Sequence, residues 1–170
     1  MTTYQDLFAI GQTFDDFVSH GLPAEIDAVR SIQQKLAAPN ALSAATQQRL
    51  ETLKSRFHLL AAAEMWCPDC QINLAAMDAL QRLNPFIDLA LITKSRAEDA
   101  LKGPLALERI SIPLVLVLDQ DFQLIGRFIE RPHAVAQGGD ALKADYRAGL
   151  YLESTIQDLL AIFEAPNNQN

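Results

Sequence analysis

An apolar run from Phe57 to Ala63 leads into the sequence Trp66-Cys67-Pro68-Asp69-Cys70, and a helical pattern follows to about Leu83. A short continuous apolar run bounded by polar residues predicts a buried strand. Proline suits the first position of a helix, where its missing N–H would have no partner anyway. The sequence therefore predicts two cysteines at the junction of a buried strand and a helix.

The chain continues to alternate between strand and helix after this junction. The pattern predicts strands at 86–93, 114–118 and 123–129, a helix at 95–107 and a final amphipathic helix at 146–163. The helical crossovers imply parallel strands, and the turn Asp119-Gln120-Asp121 joins the last two strands as an antiparallel hairpin. We therefore expect an α/β protein with a mixed central sheet flanked by helices.

The first 55 residues carry helical patterns throughout. Apolar residues from Tyr4 to Phe17 predict one amphipathic helix, Pro23 opens a second, and Ser43 offers the N-cap of a third. We expect residues 1–55 to be a helical extension packed on the core and 56–165 to form the main domain. Residues 166–170 are polar, and we expect a frayed tail there.

Charge and composition argue against several classes of protein. The chain has 21 acidic and 14 basic residues and a net charge of −7, the wrong sign for a binder of phosphate backbones. Its first 20 residues lack the basic start and apolar centre of a signal peptide. No run approaches the roughly 20 apolar residues that span a bilayer. We therefore expect a cytoplasmic protein with neither a nucleic-acid nor a membrane partner.

Cys67 and Cys70 are the only cysteines of the chain. Because they stand three residues apart in a first helical turn, their sulfurs share one face and can reach each other. The positive end of the helix dipole favours an anion there, so Cys67 should be the reactive thiolate and Cys70 the more buried partner. In a chain without a secretion signal, such a pair indicates redox activity or metal binding rather than a structural role.

Two structural alternatives remain for the cysteine pair. A Cys-x-x-Cys pair forms half of a zinc site, but His20, His58 and His133 lack the paired spacing of the other half. The second alternative is a structural disulfide, although a cytosolic dithiol is usually kept reduced or used catalytically.

Arg131 and His133 follow the hairpin, and we interpret both as solvated loop residues.

The residues from Trp66 to Cys70 after an apolar strand, with Ile112-Pro113 opening a later strand, resemble the thioredoxin family over roughly 56–163. With Ser111 and the stretch 126–132 included, the chain is similar to a bacterial thioredoxin-like subgroup that has a helical extension before the fold. The resemblance implies a thioredoxin-like fold, with Cys67 as the nucleophile and Cys70 as the resolving thiol.

The resemblance also implies a surface for substrates around the cysteines. Trp66 would flank the site, and Pro68 and Asp69 stand between the two cysteines. From the residues alone Pro113 would be a trans proline at a strand start, whereas the resemblance implies a cis Ile112-Pro113 bond that faces the cysteines. The backbone of Ile112 would then be open to an extended substrate segment, which pairs with it as an added strand.

Two departures from the family pattern bear on reactivity. Many thioredoxins place a buried aspartate six residues before the first cysteine, where this chain has Ala61. Another group or water must then accept the proton of Cys70, and Asp69, Glu64 and His58 are the nearest titratable candidates in sequence. Asp69 also replaces a neutral residue of the common motif, and its charge should oppose thiolate formation.

These features favour a thiol–disulfide oxidoreductase that needs no cofactor and no metal. Its partners would be protein or small-molecule disulfides and an electron donor that the sequence does not identify. The alternative is a binding or adaptor module whose dithiol only senses redox state, which the departures at Ala61 and Asp69 would suit.

Overall fold

A four-stranded mixed sheet forms the centre of the structure, a computed structural model that describes residues 1–165. Its strands are β1 (Phe57–Ala63), β2 (Ile87–Thr93), β3 (Leu114–Leu118) and β4 (Leu124–Ile129), in the spatial order β2-β1-β3-β4. Strand β1 runs parallel to β2 and antiparallel to β3, and β3 and β4 form an antiparallel pair. The predicted mixed sheet and its hairpin are confirmed. The predicted frayed tail at 166–170 lies outside the described residues.

Helices surround this sheet. They are α1 (Tyr4–Ile10), α2 (Phe14–Ser19), α3 (Pro23–Ala37), α4 (Ala44–Thr52), α5 (Pro68–Leu83), α6 (Lys94–Leu101), α7 (His133–Gly138), α8 (Lys143–Arg147) and α9 (Leu152–Phe163). Helix α5 packs against α3 and α9, whereas α1 and α6 both contact β1 and β2. Every residue of the central strands β1 and β3 is buried, as expected for strands covered on both faces.

The N-terminal segment differs from the single helix that its apolar spacing predicts. Helices α1 and α2 are separated by residues 11–13, and the side chains of Thr3 and Thr13 cap their respective N-termini. Between them, Gln12 exchanges two backbone hydrogen bonds with Leu91 of β2, at 2.8 and 2.9 Å. The break occurs because these bonds satisfy backbone groups on the edge of β2 that faces away from β1.

The C-terminal part also departs from prediction. The expected final helix is divided into α8 and α9 around Gly149, which adopts φ +83°. The segment after the hairpin, interpreted as a loop, contains α7 and a turn of 3₁₀ helix at Gly139–Leu142. Helix α6 ends at Leu101, before the predicted limit of 107, because turns replace it around Gly103.

The helices of the first 55 residues share one buried apolar cluster with the sheet. Leu7, Phe14, Val29 and Leu50 are each at most 2% exposed and belong to this cluster. Their burial contributes to the same hydrophobic stabilisation as burial of the sheet itself. The boundary at residue 55 stays a prediction about chain organisation.

The pairing of Gln12 with Leu91 brings Gly11 close to β2, which gives a prediction for the stability of a Gly11 variant. A Cβ at Gly11 would lie 2.8 Å from Cβ of Ala90, whereas a Cβ at Gly103 meets no atom within 4 Å. Gly11→Ala should therefore lower the free energy of unfolding by about 1–3 kcal/mol through overpacking. Gly103→Ala is the matched control and should leave it unchanged or slightly raised. Urea denaturation of both variants checks this, and equal stability would contradict the tight approach.

Candidate dithiol site

The end of β1 and the start of α5 position the two cysteines. Cys67 is the N-cap residue of α5, with extended backbone angles, and Pro68 occupies the first helical turn. The backbone N–H of Cys67 donates to the carbonyl of Glu64 at 3.3 Å, and its own carbonyl accepts from Gln71 at 3.0 Å. The Cys67 side chain therefore stands where the amides of the helix start converge.

Exposure separates the two thiols. Cys67 is 7% exposed and Cys70 is 0% exposed, and both are free thiols. The Ile112-Pro113 bond is cis, as the resemblance implies, and Sγ of Cys67 lies 3.8 Å from the carbonyl oxygen of Ile112. The structure thus brings Cys67, Cys70 and the Ile112-Pro113 segment together, with Cys67 as the thiol that a reagent reaches first.

The protonation of the pair follows from its hydrogen bonding. The Cys70 thiol donates to Cys67 and lowers the pKa of Cys67 to about 7, with help from the backbone amides of Cys70 and Asp69. Burial and the negative charge of Asp69 act in the opposite direction. Burial raises the pKa of Cys70, and its donation to Cys67 raises it further. Near neutral pH Cys67 is therefore ionised in about half of the molecules, whereas Cys70 stays a thiol.

The other residues around the dithiol differ in exposure. Trp66 is 60% exposed at the turn before Cys67, and Pro68 is half-buried. Ile112 and Pro113 are buried immediately before β3. Trp66 therefore presents the largest free apolar surface beside the cysteines.

The carboxylate of Asp69 points back to the protein. Its Oδ1 accepts a hydrogen bond from the hydroxyl of Tyr146 at 2.7 Å, and its Oδ2 lies 3.1 Å from a guanidinium nitrogen of Arg131. Buried Asn73 lies beside them, with Nδ2 2.8 Å from the Asp69 carbonyl and 2.8 Å from the Tyr146 hydroxyl. Both carboxylate oxygens of the central motif residue are therefore bound.

The roles of two residues beside Asp69 were not predicted from the sequence. Arg131, interpreted as a solvated loop residue, pairs with Asp69, although its side chain is 38% exposed. Tyr146, chosen as an apolar helix position, is buried and directs its hydroxyl to the same carboxylate. A signal was present for Arg131, since Arg131-Pro132 lies in the stretch that carries the resemblance. None pointed from Tyr146 to Asp69, because 77 residues separate them in sequence.

Position excludes one of the three candidates for the proton acceptor of Cys70. His58 is far from the cysteines, at the start of β1 and about 20 Å along the strand from Glu64. Its ring stacks on Phe122 with centroids 4.1 Å apart, and burial lowers its pKa. The hypothesis that His58 serves Cys70 is therefore wrong. The carboxylate of Glu64 accepts from the N–H of Lys94 at 3.1 Å, while the Glu64 backbone contacts the Cys70 sulfur.

Within residues 1–165, no group of three or more His, Cys, Asp or Glu side chains is placed to hold a metal ion. None of the helices described there is long and apolar enough to cross a membrane.

Together, the mixed sheet, the dithiol at a helix start and the opposing cis proline define a thioredoxin-like fold. A family model described as thioredoxin matches residues 11–143, and the chain belongs to the thioredoxin family. The match begins well before residue 56, so it includes most of the N-terminal helices. Family membership and the close cysteine pair support a redox-type function.

Two solved structures are similar over almost their whole length. One is the crystal structure of a protein of unknown function from Pseudomonas aeruginosa, 57% identical, covering 96% of this chain and 98% of that chain with a TM-score of 0.94. The other is described as an HIV epitope-scaffold, 56% identical, covering 95% and 98% with a TM-score of 0.93. No curated protein matches the chain.

The hydrogen bond between the thiols gives a prediction for alkylation. The rate at which iodoacetamide modifies Cys67 should rise with pH around a midpoint of about 7. Cys70→Ala removes the donor, so the midpoint should move up toward that of an ordinary thiol. Cys70→Ser keeps a hydroxyl donor and should move it less, and Cys67→Ser identifies the modified residue. An unchanged midpoint in Cys70→Ala would mean that another group stabilises the thiolate.

Proposed function

We propose that this protein is a thiol–disulfide oxidoreductase that uses Cys67 and Cys70 to reduce disulfides of proteins or small molecules. The observation that carries the proposal is the asymmetry of the pair. Cys67 is the reachable thiol with a pKa of about 7, and fully buried Cys70 donates a hydrogen bond to it. A nucleophile with a pKa near ambient pH is both ionised and strongly nucleophilic, which suits disulfide exchange.

In the first step the Cys67 thiolate attacks one sulfur of the substrate disulfide. A bond forms between Sγ of Cys67 and that sulfur, the substrate S–S bond breaks, and the second substrate sulfur leaves as a thiolate that takes a proton from water. The backbone amides of Asp69 and Cys70 stabilise the attacking thiolate before the reaction. The product is a mixed disulfide on Cys67.

In the second step Cys70 releases the substrate. Cys70 loses its proton, and its sulfur attacks Sγ of Cys67, so that the Cys67–Cys70 disulfide forms and the remaining substrate sulfur leaves as a thiolate. That thiolate takes up a proton, so the pair has given two electrons to the substrate, while the two protons of the product thiols balance the one lost by Cys70 and one taken from water. A thiol or dithiol reductant of the cytoplasm, the setting that the sequence suggests, would restore the reduced pair.

Substrate would bind beside the cis proline. The carbonyl of Ile112 lies 3.8 Å from the Cys67 sulfur, so a segment paired with the Ile112 backbone would hold its disulfide close to the nucleophile. Exposed Trp66 offers apolar contact on the adjacent turn, next to half-buried Pro68. These contacts favour an extended segment around the substrate cysteine.

A redox-sensing or adaptor module is the second candidate. Two observations favour it: β1 has Ala61, which supplies no carboxylate, where many thioredoxins have a buried aspartate, and both oxygens of Asp69 are engaged with other side chains. Slow deprotonation of Cys70 would then leave the pair able to form a disulfide but unable to turn over quickly.

Trapping tests the two proposed roles. Cys70→Ser should accumulate mixed disulfides through Cys67, because the second step has lost its nucleophile while the first remains. Reduced variants are incubated with a disulfide-bonded protein such as insulin and resolved on non-reducing gels with mass spectrometry. Cys67→Ser is the matched control and should trap little. Trapping by Cys67→Ser and not by Cys70→Ser would reverse the roles.

Turnover separates the oxidoreductase from the sensor. With excess dithiothreitol, the wild-type protein should reduce many equivalents of insulin disulfide, whereas a sensor should react at most once per molecule. A glutathione or dithiothreitol series gives the reduction potential of the pair. A two-electron transition near about −270 mV indicates a thioredoxin-like reductant, and one near about −200 mV or above a more oxidising role. If no reversible disulfide forms between Cys67 and Cys70, the proposal fails.

A further inference from the structure

Asp69 carries a negative charge between the two cysteines, yet the structure surrounds that charge with donors. Arg131, in the loop after β4, lies 3.1 Å from Oδ2, and the same guanidinium nitrogen lies 3.6 Å from the carboxylate of neighbouring Glu130. The Tyr146 hydroxyl of α8 donates to Oδ1 at 2.7 Å. Asn73, one turn along α5, lies 2.8 Å from both the Asp69 carbonyl and the Tyr146 hydroxyl. We call Asp69, Asn73, Arg131 and Tyr146 the Asp69 network.

Two of the four members of the network, Asn73 and Tyr146, are buried, and the side chains of Asp69 and Arg131 are partly exposed. Asn73 is 0% and Tyr146 2% exposed, and Oδ1 of Asn73 accepts from the buried hydroxyl of Thr155 at 2.7 Å. Burial and the Asp69 charge raise the pKa of Tyr146, so its hydroxyl keeps its proton and stays a donor at neutral pH. Arg131 is the most exposed member, so it can be replaced without opening a cavity.

The same network reaches the cis-proline segment. Nδ2 of Asn73 lies 3.0 Å from the carbonyl oxygen of Glu130, and the backbone N–H of Glu130 donates to the carbonyl of Pro113 at 2.9 Å. Arg131 directly follows Glu130 in the sequence. Its backbone position is therefore set by the hydrogen bond between Glu130 and Pro113.

An uncompensated carboxylate next to a nucleophilic cysteine would disfavour its thiolate. The negative charge of Asp69 does oppose ionisation of Cys67. A cation on one oxygen and a hydroxyl donor on the other reduce that opposition and fix the direction in which the carboxylate points. The arrangement thus has an electrostatic consequence for Cys67 beyond its contribution to packing.

We propose that Arg131 and Tyr146 are positioning residues that hold and neutralise the Asp69 carboxylate, and so keep Cys67 reactive despite an acidic residue inside the motif. The inference rests on the proposed function, since it concerns the nucleophile of the same site. Neither residue touches the reacting sulfurs, and both act through Asp69.

The test compares the pH dependence of Cys67 alkylation by iodoacetamide in reduced wild-type protein and variants. Arg131→Gln should shift the midpoint up by about 0.5–1 pH unit, which is about a 3- to 10-fold lower rate at a pH below the midpoint. Arg131→Lys keeps the charge and should recover part of the shift. Tyr146→Phe should shift the midpoint in the same direction as Arg131→Gln.

A double-mutant cycle with Asp69→Asn distinguishes this role from a general one. Asp69→Asn alone should lower the midpoint, and Arg131→Gln should then have less than about a third of its original effect, because the charge it compensates is gone. Arg127→Gln removes a positive charge from an exposed position of β4 and is the matched control, with no shift expected. Circular dichroism and thermal melts establish that each variant is folded.

Two outcomes overturn the inference: no shift in folded Arg131→Gln, or the same shift in the wild-type and Asp69→Asn backgrounds. Failure of Tyr146→Phe to fold leaves the Arg131 cycle decisive. The alkylation assay needs no disulfide substrate and no turnover. If the double-mutant cycle gives the expected shifts but the protein does not turn over insulin, the oxidoreductase proposal fails and the role of the Asp69 network stands. If the protein turns over insulin but Arg131→Gln gives no shift, the role of the network fails and the oxidoreductase proposal stands.

Discussion

The passage from a fully buried strand into the first turn of α5 is the constraint on which the site depends. All seven residues of β1 are buried, so the strand cannot shift without exposing apolar surface or changing the pairing on both sides. Cys67 is thereby fixed as the N-cap residue, and Cys70 one turn later is fully buried. The asymmetry in pKa between the thiols is a consequence of this geometry, since one sulfur meets amides and a donor while the other meets the core.

The N-terminal helices contribute to the same architecture in two ways. Their apolar residues enter the cluster that buries the sheet, and Gln12 pairs with the outer edge of β2. An exposed edge strand is a site for unwanted pairing, and a two-bond bridge with helices on either side blocks it. The family match, which starts at residue 11, agrees with a fold in which this bridge belongs to the unit. The helices therefore stabilise the strand that runs beside β1 and so support the dithiol indirectly.

Local signals in the sequence were sufficient for the sheet, for α3 to α5 and for the dithiol at the helix start, because apolar runs, Pro23, Ser43 and Pro68 each act within a few residues. They failed where a distant backbone decided the outcome. The apolar spacing of 4–17 is continuous, yet Leu91 breaks the helix by pairing with Gln12. The Asp69 network was not predicted for the same reason, because Tyr146 lies 77 residues from Asp69 in sequence. The spacing of Tyr146 fits the apolar face of a helix, which gives no sign that its hydroxyl binds a carboxylate.

The carboxylate of Asp69 has two opposite effects at the start of α5. A carboxylate in the first turn is favoured by the helix dipole, which stabilises α5, but the same charge disfavours the thiolate that α5 is placed to hold. Arg131 and Tyr146 reconcile these demands because they bind the carboxylate oxygens from the side of the protein and leave the Cys67 sulfur facing Ile112. Because Ala61 in β1 has no carboxylate, Asp69 is the acidic residue within the motif whose charge opposes ionisation of Cys67. Under this proposal the reactivity of Cys67 depends first on the Cys70 thiol within the motif and also on residues of α8 and the β4–α7 loop.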